Sequence, residues 1–217
     1  MTHAASSSGQ PDAIDSAADV LAQLRAATGS RHARLDSCMP LSIPAPTLAD
    51  YRDHLRLLLI WLRPLEALLR AHADGPQAAA ALAPVWRSGL IEADLAEPAT
   101  PSIAAPDAFA DRAAHAPAWP TGAAPAWRWG ACYVIEGSQL GGAMLYQRHV
   151  ARLAPHPLNY LRGDGAPPGP RWQQFLRALR ADVHTTTEIE LARAGAIAAF
   201  DHLLAIVGAP PVASPRE

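Results

Sequence analysis

Apolar residues recur every three or four positions along most of the chain, which is the spacing expected of amphipathic α-helices. The strongest stripe follows Thr47 and Asp50, whose spacing is typical of a capping box at the start of a helix. Its apolar members are Leu55, Leu58, Leu59, Leu62, Leu65 and Leu69. Pro64 lies inside this stripe, so we expect the helix to be kinked or divided there.

The same spacing predicts helices on both sides of this one. The first is expected to begin at Ser16 with Asp19 three residues later, and the last at Thr187 with Glu190. The expected ranges are 16–36, 171–182 and 187–207, with shorter helical stretches within 76–96 and 106–115. Residues 155–170 are rich in proline and glycine and are expected to be irregular.

The pattern predicts an all-α fold. No stretch resembles a pair of strands joined by a tight turn, and no internal repeat is evident. A chain of 217 residues fits one compact helical domain, which we expect to span residues 16–208 between tails at 1–15 and 209–217. The first tail has neither the apolar run nor the basic region of a signal peptide.

One predicted helix, at residues 129–150, is unusually rich in glycine. Its glycines are Gly130, Gly137, Gly141 and Gly142. Each costs roughly 1 kcal/mol relative to alanine inside a helix, so a packing or functional reason is expected for them. Gly137 and Gly141 lie four residues apart, as do Ser138 and Gly142, and together they form a bare stripe. Such a stripe admits either a closely packed helix or a flat ligand, and both interpretations stay open on this pattern alone.

A histidine lies on the apolar face of the first predicted helix. Its stripe consists of Leu21, Leu24, Thr28, His32 and Leu35. A histidine in such a position is either a hydrogen-bonded core residue or a ligand, and we expect His32 to point inward. Arg25 lies seven residues earlier on the same face, about 10 Å away along the helix axis.

Composition favours a small-molecule partner in a reducing compartment. The net charge is −2, with 18% charged residues and no lysine, so no basic face indicates nucleic acid binding. Cys38 and Cys132 are far apart in sequence, which suggests free thiols and a cytoplasmic protein. The glycine-rich helix carries Glu136 and Gln139, so we expect it to be buried in protein rather than in a membrane.

Two pairs of possible metal ligands occur in the sequence, but neither matches a known type of metal site. Glu66 and His72 do not match the Glu-x-x-His spacing of carboxylate-bridged di-iron sites, and a solvated face is expected for them. Asp111 and His115 are four residues apart, but no third ligand is apparent in the sequence.

Two segments together resemble the proximal and distal helices of the biliverdin-producing haem oxygenase family, closest to its bacterial branch, which includes the bacteriophytochrome-associated enzymes. They are LRAATGSRHARLD at 24–36 and YVIEGSQLGGAML at 133–145. Weaker similarity extends through residues 51–69, LIEADL at 90–95 and the AxxAF pattern at 196–200. The resemblance therefore covers most of residues 16–207 and implies a haem sandwiched between two helices.

The resemblance also implies roles for single residues. His32 matches the histidine that binds haem iron, while Arg25, Tyr133 and Arg177 match the residues that anchor the haem propionates. The distal catalytic segment would comprise Gly137, Ser138, Gly141 and Gly142. Ser138 occupies the position of an aspartate that organises water in the mammalian-type enzymes, and the bacterial branch also lacks that aspartate.

By this resemblance, haem b is both cofactor and substrate. It would be cleaved to biliverdin, CO and ferrous iron, with O2 and electrons from an external ferredoxin or flavoprotein, and a bacteriophytochrome is a candidate acceptor of the biliverdin. The main alternative is a carrier or sensor of the same fold that binds haem or another tetrapyrrole without degrading it. A third hypothesis is a non-haem relative of the fold, such as a thiaminase-like hydrolase or a di-iron oxidase.

Overall fold

The computed structural model describes residues 19–80, 82–101, 108–163 and 165–209. Within them it has no strand, and the α-helices are α1 (Val20–Cys38), α2 (Leu48–Arg70), α3 (Ser88–Leu95), α4 (Ala108–Ala114), α5 (Pro125–His149), α6 (Asn159–Arg162), α7 (Pro168–Asp182) and α8 (Thr186–Val207). This architecture confirms the all-α prediction. The predicted tail 1–15 lies wholly outside the described residues, and the tail 209–217 lies almost wholly outside them.

The starts of the helices follow their capping residues. Thr47 and Asp50 form the predicted capping box of α2, and Pro64 lies inside this helix without dividing it. α1 begins at Val20, with the Asp19 carboxylate accepting a hydrogen bond from the Leu21 N–H at 3.4 Å. Ser16, the predicted first residue of that helix, lies outside the described residues.

The predicted start of the last helix was wrong by two residues. The capping box of α8 consists of Thr185 and Glu188 rather than Thr187 and Glu190. Both pairs have the same spacing. Glu188 is favoured because its carboxylate accepts hydrogen bonds from the N–H groups of His184 (3.1 Å) and Thr185 (3.0 Å), which precede the helix.

The expectation of a solvated Glu66 was also wrong. Glu66 is only 2% exposed, and its carboxylate accepts hydrogen bonds from the Arg87 N–H at 2.7 Å, the Ser88 N–H at 3.2 Å and the Ser88 hydroxyl at 2.6 Å. An anion is stabilised at the start of a helix, where backbone N–H groups point outward. Glu66 therefore fixes the start of α3 against α2.

Two other segments differ from their predicted extents, whereas a third does not. The helix predicted within 76–96 is α3, and a single turn of 3₁₀ helix precedes it at Gly75–Gln77. The stretch 155–170, which was predicted to be irregular, contains α6 and the first residues of α7. The glycine-rich helix, predicted from residue 129, already begins at Pro125, which occupies the first-turn position where proline is favoured.

α5 and α8 cross in the core, with their backbones in very close contact. A Cβ atom built on Gly130 would lie 1.8 Å from the Ala192 carbonyl oxygen, and one on Gly195 would lie 1.9 Å from the Trp127 carbonyl oxygen. Each helix thus has a glycine at the point where it contacts the backbone of the other. This contact explains Gly130 by helix packing, one of the two interpretations of the glycine-rich helix.

Hydrogen bonds between buried or partly buried polar side chains hold the remaining helices around α5. Asp94 on α3 is fully buried and accepts hydrogen bonds from the Tyr51 hydroxyl at 2.6 Å and from the N–H groups of Asn159 (2.9 Å) and Tyr160 (2.8 Å). These bonds attach α6 to α2 and α3. Arg31 on α1 binds Asp201 on α8 through two hydrogen bonds of 2.7 and 3.1 Å, which fixes α1 beside α8.

None of the helices that the structure describes is both long enough and apolar enough to cross a membrane.

Candidate functional site

A cavity of about 330 Å³ lies between α1, α2, α5, α6, α7 and α8. Its volume is within the range of small-molecule pockets in proteins. Most of its lining is apolar, including Leu35, Leu58, Trp61, Val134, Phe200 and Leu203. A few polar side chains interrupt this lining, and several of them belong to the residues singled out from the sequence.

His32 lines the cavity from α1. Its Nδ1 lies 2.9 Å from a carboxylate oxygen of Asp36, one turn later on the same helix, and both side chains are 66% exposed. When Nδ1 donates its proton to such a carboxylate, Nε2 retains the lone pair that a metal ion requires. The pair therefore has the arrangement of a metal-binding histidine with its orienting carboxylate. Asp36 was not singled out from the sequence, although its i+4 spacing from His32 was a usable signal.

The glycine stripe of α5 faces the same cavity. A Cβ atom on Gly141 would have no neighbouring atom of the described residues within 4 Å, and one on Gly142 would meet only Leu161, at 4.0 Å. A Cβ atom on Gly137 would lie 3.7 Å from the Trp172 ring, an ordinary van der Waals distance. Packing within the described structure therefore explains Gly130 but does not require these three glycines.

Tyr133 lines the cavity and lies close to Arg25, which was predicted with it to anchor the haem propionates. The side chains of Arg25 and Thr28 interact with its hydroxyl group, and burial raises the pKa of Tyr133 above its ordinary value. Arg25 itself is exposed and is not among the residues that line the cavity. Such a cation and phenol together provide hydrogen-bond donors for a carboxylate.

Arg177 is not brought to this group. It is exposed on α7 and is not among the residues that line the cavity, so its assignment to the site stays a prediction. The contact that α7 makes with the cavity is the ring of Trp172, which lies 5.6 Å from the Tyr133 ring between centroids.

Ser138 lines the cavity, and its hydroxyl already has partners. It donates to the Ile135 carbonyl at 2.7 Å and accepts from the Gln139 amide at 3.1 Å. The buried Tyr160, from α6, has its hydroxyl beside the side chains of Ser138 and Gln139. A small polar cluster therefore occupies this wall of the cavity.

His54 and Tyr160 are further polar residues of the cavity that sequence reasoning missed. His54 lies on α2 and is 5% exposed, and its burial lowers the pKa of the imidazole to about 4. The sequence did carry a signal for His54, because it lies four residues before Leu58 in the leucine stripe. No comparable signal exists for Tyr160, which lies in a segment that was predicted to be irregular.

These residues fit a haem. One wall has a histidine with a carboxylate partner, another has bare helix backbone with open space before it, and Arg25 lies outside the lining but beside Tyr133, which belongs to it. The described residues contain no group of three or more His, Cys, Asp or Glu side chains that could hold a metal ion directly. Within that part of the chain, the di-iron alternative has no set of ligands.

Known proteins with similar sequences indicate the family of this chain. The family model of heme oxygenase matches residues 18–208. A heme oxygenase of Xanthomonas campestris pv. campestris (strain 8004) is 39% identical over 87 residues, which cover 38% of this chain and 51% of that protein. The match thus spans about half the length of this relative. Because the family model extends over nearly the whole chain, the chain belongs to the haem oxygenase family.

Proposed function

We propose that this protein cleaves haem oxidatively to biliverdin, CO and ferrous iron, with O2 and electrons from an external donor. The observation that carries the proposal is the cavity that joins the His32–Asp36 pair to a glycine stripe with open space at Gly141. Neither feature alone indicates haem. Together they would provide a ligand for the iron and room for a flat macrocycle.

Each group has a role that its chemistry supports. His32 would bind the iron through Nε2, while Asp36 holds the ring in one orientation and tautomer. Gly137, Gly141 and Gly142 would let the macrocycle and O2 approach the α5 backbone. When bound, haem b supplies the iron that activates O2 and is itself the molecule oxidised.

The remaining assignments concern anchoring and partners. Arg25 and Tyr133 would hold the haem propionates, with Arg177 as a further candidate, and Ser138 would contribute to the hydrogen bonding around O2. Electrons would come from a ferredoxin or a flavoprotein in the cytoplasm. A bacteriophytochrome is the proposed acceptor of the biliverdin.

Hemin titration of the purified protein, followed by reductant in air, tests the proposal. We expect saturable one-to-one binding, then loss of the haem absorption bands and appearance of biliverdin. Binding followed by a stable haem spectrum under reductant would favour the carrier or sensor alternative. Failure to bind hemin would overturn the proposal.

The variant His32→Ala tests the ligand assignment. We expect turnover to fall by at least roughly 100-fold, with a changed ferric haem spectrum, since even residues that only orient a ligand contribute 10- to 100-fold. His184→Ala is the matched control, because His184 is also 66% exposed and also faces a carboxylate four residues later, yet does not line the cavity. Equal behaviour of the two variants would contradict the assignment of His32.

A further inference from the structure

Four aromatic rings in mutual contact run from the cavity into the core between α5 and α7. Tyr133 and Trp172 both line the cavity, and their ring centroids lie 5.6 Å apart. Trp172 stacks on Phe175, with centroids 5.6 Å apart and planes inclined by 12°. The Phe175 ring in turn lies 5.5 Å from the ring of Trp129. We call these four residues the aromatic row.

The inner end of the aromatic row is connected to solvent by a carboxylate. Trp129 is only 1% exposed, and its Nε1 donates a hydrogen bond to the Asp182 carboxylate at 3.2 Å. Asp182 is the last residue of α7 and is exposed. The row and Asp182 therefore join the cavity to the protein surface through side chains of α5 and α7 alone.

The residue types of the row suit the transfer of single electrons. Tyrosine and tryptophan are the ring side chains that give up one electron most readily, whereas phenylalanine does not. Electrons nevertheless pass quickly between rings in near contact, even across one intervening ring. Only the ring of Phe175 separates Trp172 from Trp129, and it contacts both. An electron can therefore move from Trp129 to the cavity by way of Trp172.

Trp61 provides an internal comparison for the carboxylate at Trp129. It also lines the cavity and is 1% exposed, but its Nε1 donates to the Ala199 carbonyl at 3.0 Å. A backbone carbonyl is enough to pair the N–H of a buried indole, but it cannot take up the proton. A carboxylate can accept both the hydrogen bond and the proton. The partner of Trp129 thus suits an indole that is oxidised and deprotonated.

We propose that the aromatic row carries an oxidising equivalent from the cavity to the surface when a peroxide reacts at the haem without oxidising the macrocycle. This role rests on the proposed function, because it requires haem in the cavity. It would protect the haem and the apolar lining by moving the oxidising equivalent to Trp129. A small reductant in solution, such as ascorbate, would then remove it.

The electrons and protons balance for an organic peracid. Cleavage of its O–O bond yields a carboxylic acid and water and consumes two electrons, with two protons from solvent. One electron comes from the haem, and the other comes from Trp129 through Phe175 and Trp172. The Nε1 proton of Trp129 passes to Asp182, which leaves a neutral indolyl radical. Ascorbate then returns one electron to the indole, becoming a radical itself, and Asp182 returns the proton.

Freeze-quench electron paramagnetic resonance of the hemin-loaded protein mixed with peracetic acid tests this path. We expect a radical on an indole, which is recognised because its spectrum narrows when the protein contains ring-deuterated tryptophan. Trp129→Phe keeps an aromatic ring in the core but removes the indole, so this signal should be lost. A radical that stays at the cavity would be broadened by the nearby iron. The haem absorption should also bleach faster in Trp129→Phe than in wild type.

Asp182→Asn tests the proton acceptor with little effect on the core, since Asp182 is exposed. The asparagine amide oxygen can still accept the hydrogen bond of Trp129, but it is not basic, so the oxidised indole would keep its proton. We expect transfer into D2O to leave the wild-type radical spectrum nearly unchanged. In Asp182→Asn it should narrow the spectrum, because the coupled N–H of the indole becomes N–D.

Trp127→Phe is the matched control. It removes a buried indole from the same helix, but Trp127 does not line the cavity, and its ring contact is with Trp119 rather than with the aromatic row. The radical signal and the rate of haem bleaching in this variant should equal those of the wild type.

Several results would overturn the path. Equal radical signals and equal bleaching in wild type and Trp129→Phe would show that the row is only core packing. A wild-type spectrum that deuterated tryptophan leaves unchanged would place the radical on another residue type. The same response to D2O in wild type and Asp182→Asn would remove the role of Asp182. Absence of hemin binding by the wild type would remove the proposed function as well, whereas the other results leave hemin binding intact.

Discussion

Gly130 in the first half of α5 lies against the backbone of α8, whereas Gly141, three turns later, lies in front of open space in the cavity. A side chain on Gly130 would collide with a carbonyl oxygen at 1.8 Å, but one on Gly141 would meet no described atom within 4 Å. The sequence makes these glycines look alike. Gly130 is explained by a contact within the chain, whereas no contact within the described residues explains Gly141.

The side chains of the two halves also differ in burial. In the first half, Arg128 is fully buried, and its guanidinium donates to Asp74, Gln77 and the Ala123 carbonyl. In the second half, Ser138 is exposed and Met144 is 75% exposed. We therefore call the first half the structural half, and the second half, which lines the cavity and would receive haem in the proposed function, the receptive half.

Gly130→Ala should produce the largest effect and tests the structural half. The new methyl group cannot be accommodated unless α5 and α8 separate, because the atom it would meet belongs to the backbone. We expect the free energy of unfolding of the ligand-free protein to fall by about 4 kcal/mol or more, measured by urea denaturation. The matched control is Gly29→Ala, since Gly29 lies in α1 and the methyl group of an alanine there would have no described neighbour within 4 Å. Equal stability of the two variants would refute the close crossing.

Glu136→Gln tests the junction between the halves. The Glu136 carboxylate binds the buried Arg87 at 2.9 Å and Arg171 at 2.8 Å. Removing its charge leaves the Arg87 guanidinium desolvated without that anion, so we expect a loss of about 3 kcal/mol in the free energy of unfolding. Arg63→Gln, which breaks the exposed pair with Glu92, should cost less than about 1 kcal/mol.

The difference in the free energy of unfolding between wild type and Glu136→Gln should also depend on pH, which provides a second check that the charge of Glu136 is its cause. Burial alone would raise the pKa of Glu136, but Arg171 and Arg87 outweigh it and hold the pKa below its ordinary value of 4.5. A carboxylate with a depressed pKa in the folded state contributes stability above its ordinary pKa and loses it as the pH falls through the folded value. The stability gap between wild type and Glu136→Gln should therefore narrow below about pH 4.5. A gap that is constant down to pH 3 would show that charge is not its cause.

Gly141→Leu tests the receptive half. A leucine at this position would project into the space in front of the stripe, so we expect hemin affinity to fall roughly 100-fold, which corresponds to about 2.8 kcal/mol. The ligand-free protein should remain folded, as judged by its circular dichroism and urea midpoint. Gln147→Leu is the control, because Gln147 is an exposed position on the same helix that does not line the cavity. Wild-type affinity in Gly141→Leu would mean that the stripe is not the binding surface.

Local signals in the sequence were enough to place most of the fold. The leucine stripe and the capping box at Thr47 and Asp50 placed α2 correctly, because both depend on contacts within one helix. The i+4 geometry of His32 and Asp36 is equally local and was available from the sequence. The start of α8 was misplaced because two overlapping pairs have the same spacing, and only contacts with residues before the helix distinguish them.

Features that depend on distant residues could not be predicted in this way. Glu66 was expected in solvent because its partners, Arg87 and Ser88, follow more than twenty residues later and no local pattern connects them. The distinction between Gly130 and Gly141 likewise depends on where α8 lies relative to α5. The polarity of a cavity depends on several helices at once, which is why Tyr160 was missed.

Gly141→Ala should produce the smallest effect, and its sign is the most informative. Alanine is favoured over glycine inside a helix by about 1 kcal/mol, and its methyl group would meet no described atom within 4 Å. The ligand-free protein should therefore become more stable by about 0.5–1 kcal/mol in urea denaturation, although hemin affinity falls because the methyl group occupies space in front of the stripe. Gly130→Ala should have the opposite effect on stability, so the two halves of α5 would respond to the same substitution with opposite signs. A loss of stability in Gly141→Ala would mean that a contact within the chain covers the stripe, and Gly141 would then be a packing glycine like Gly130.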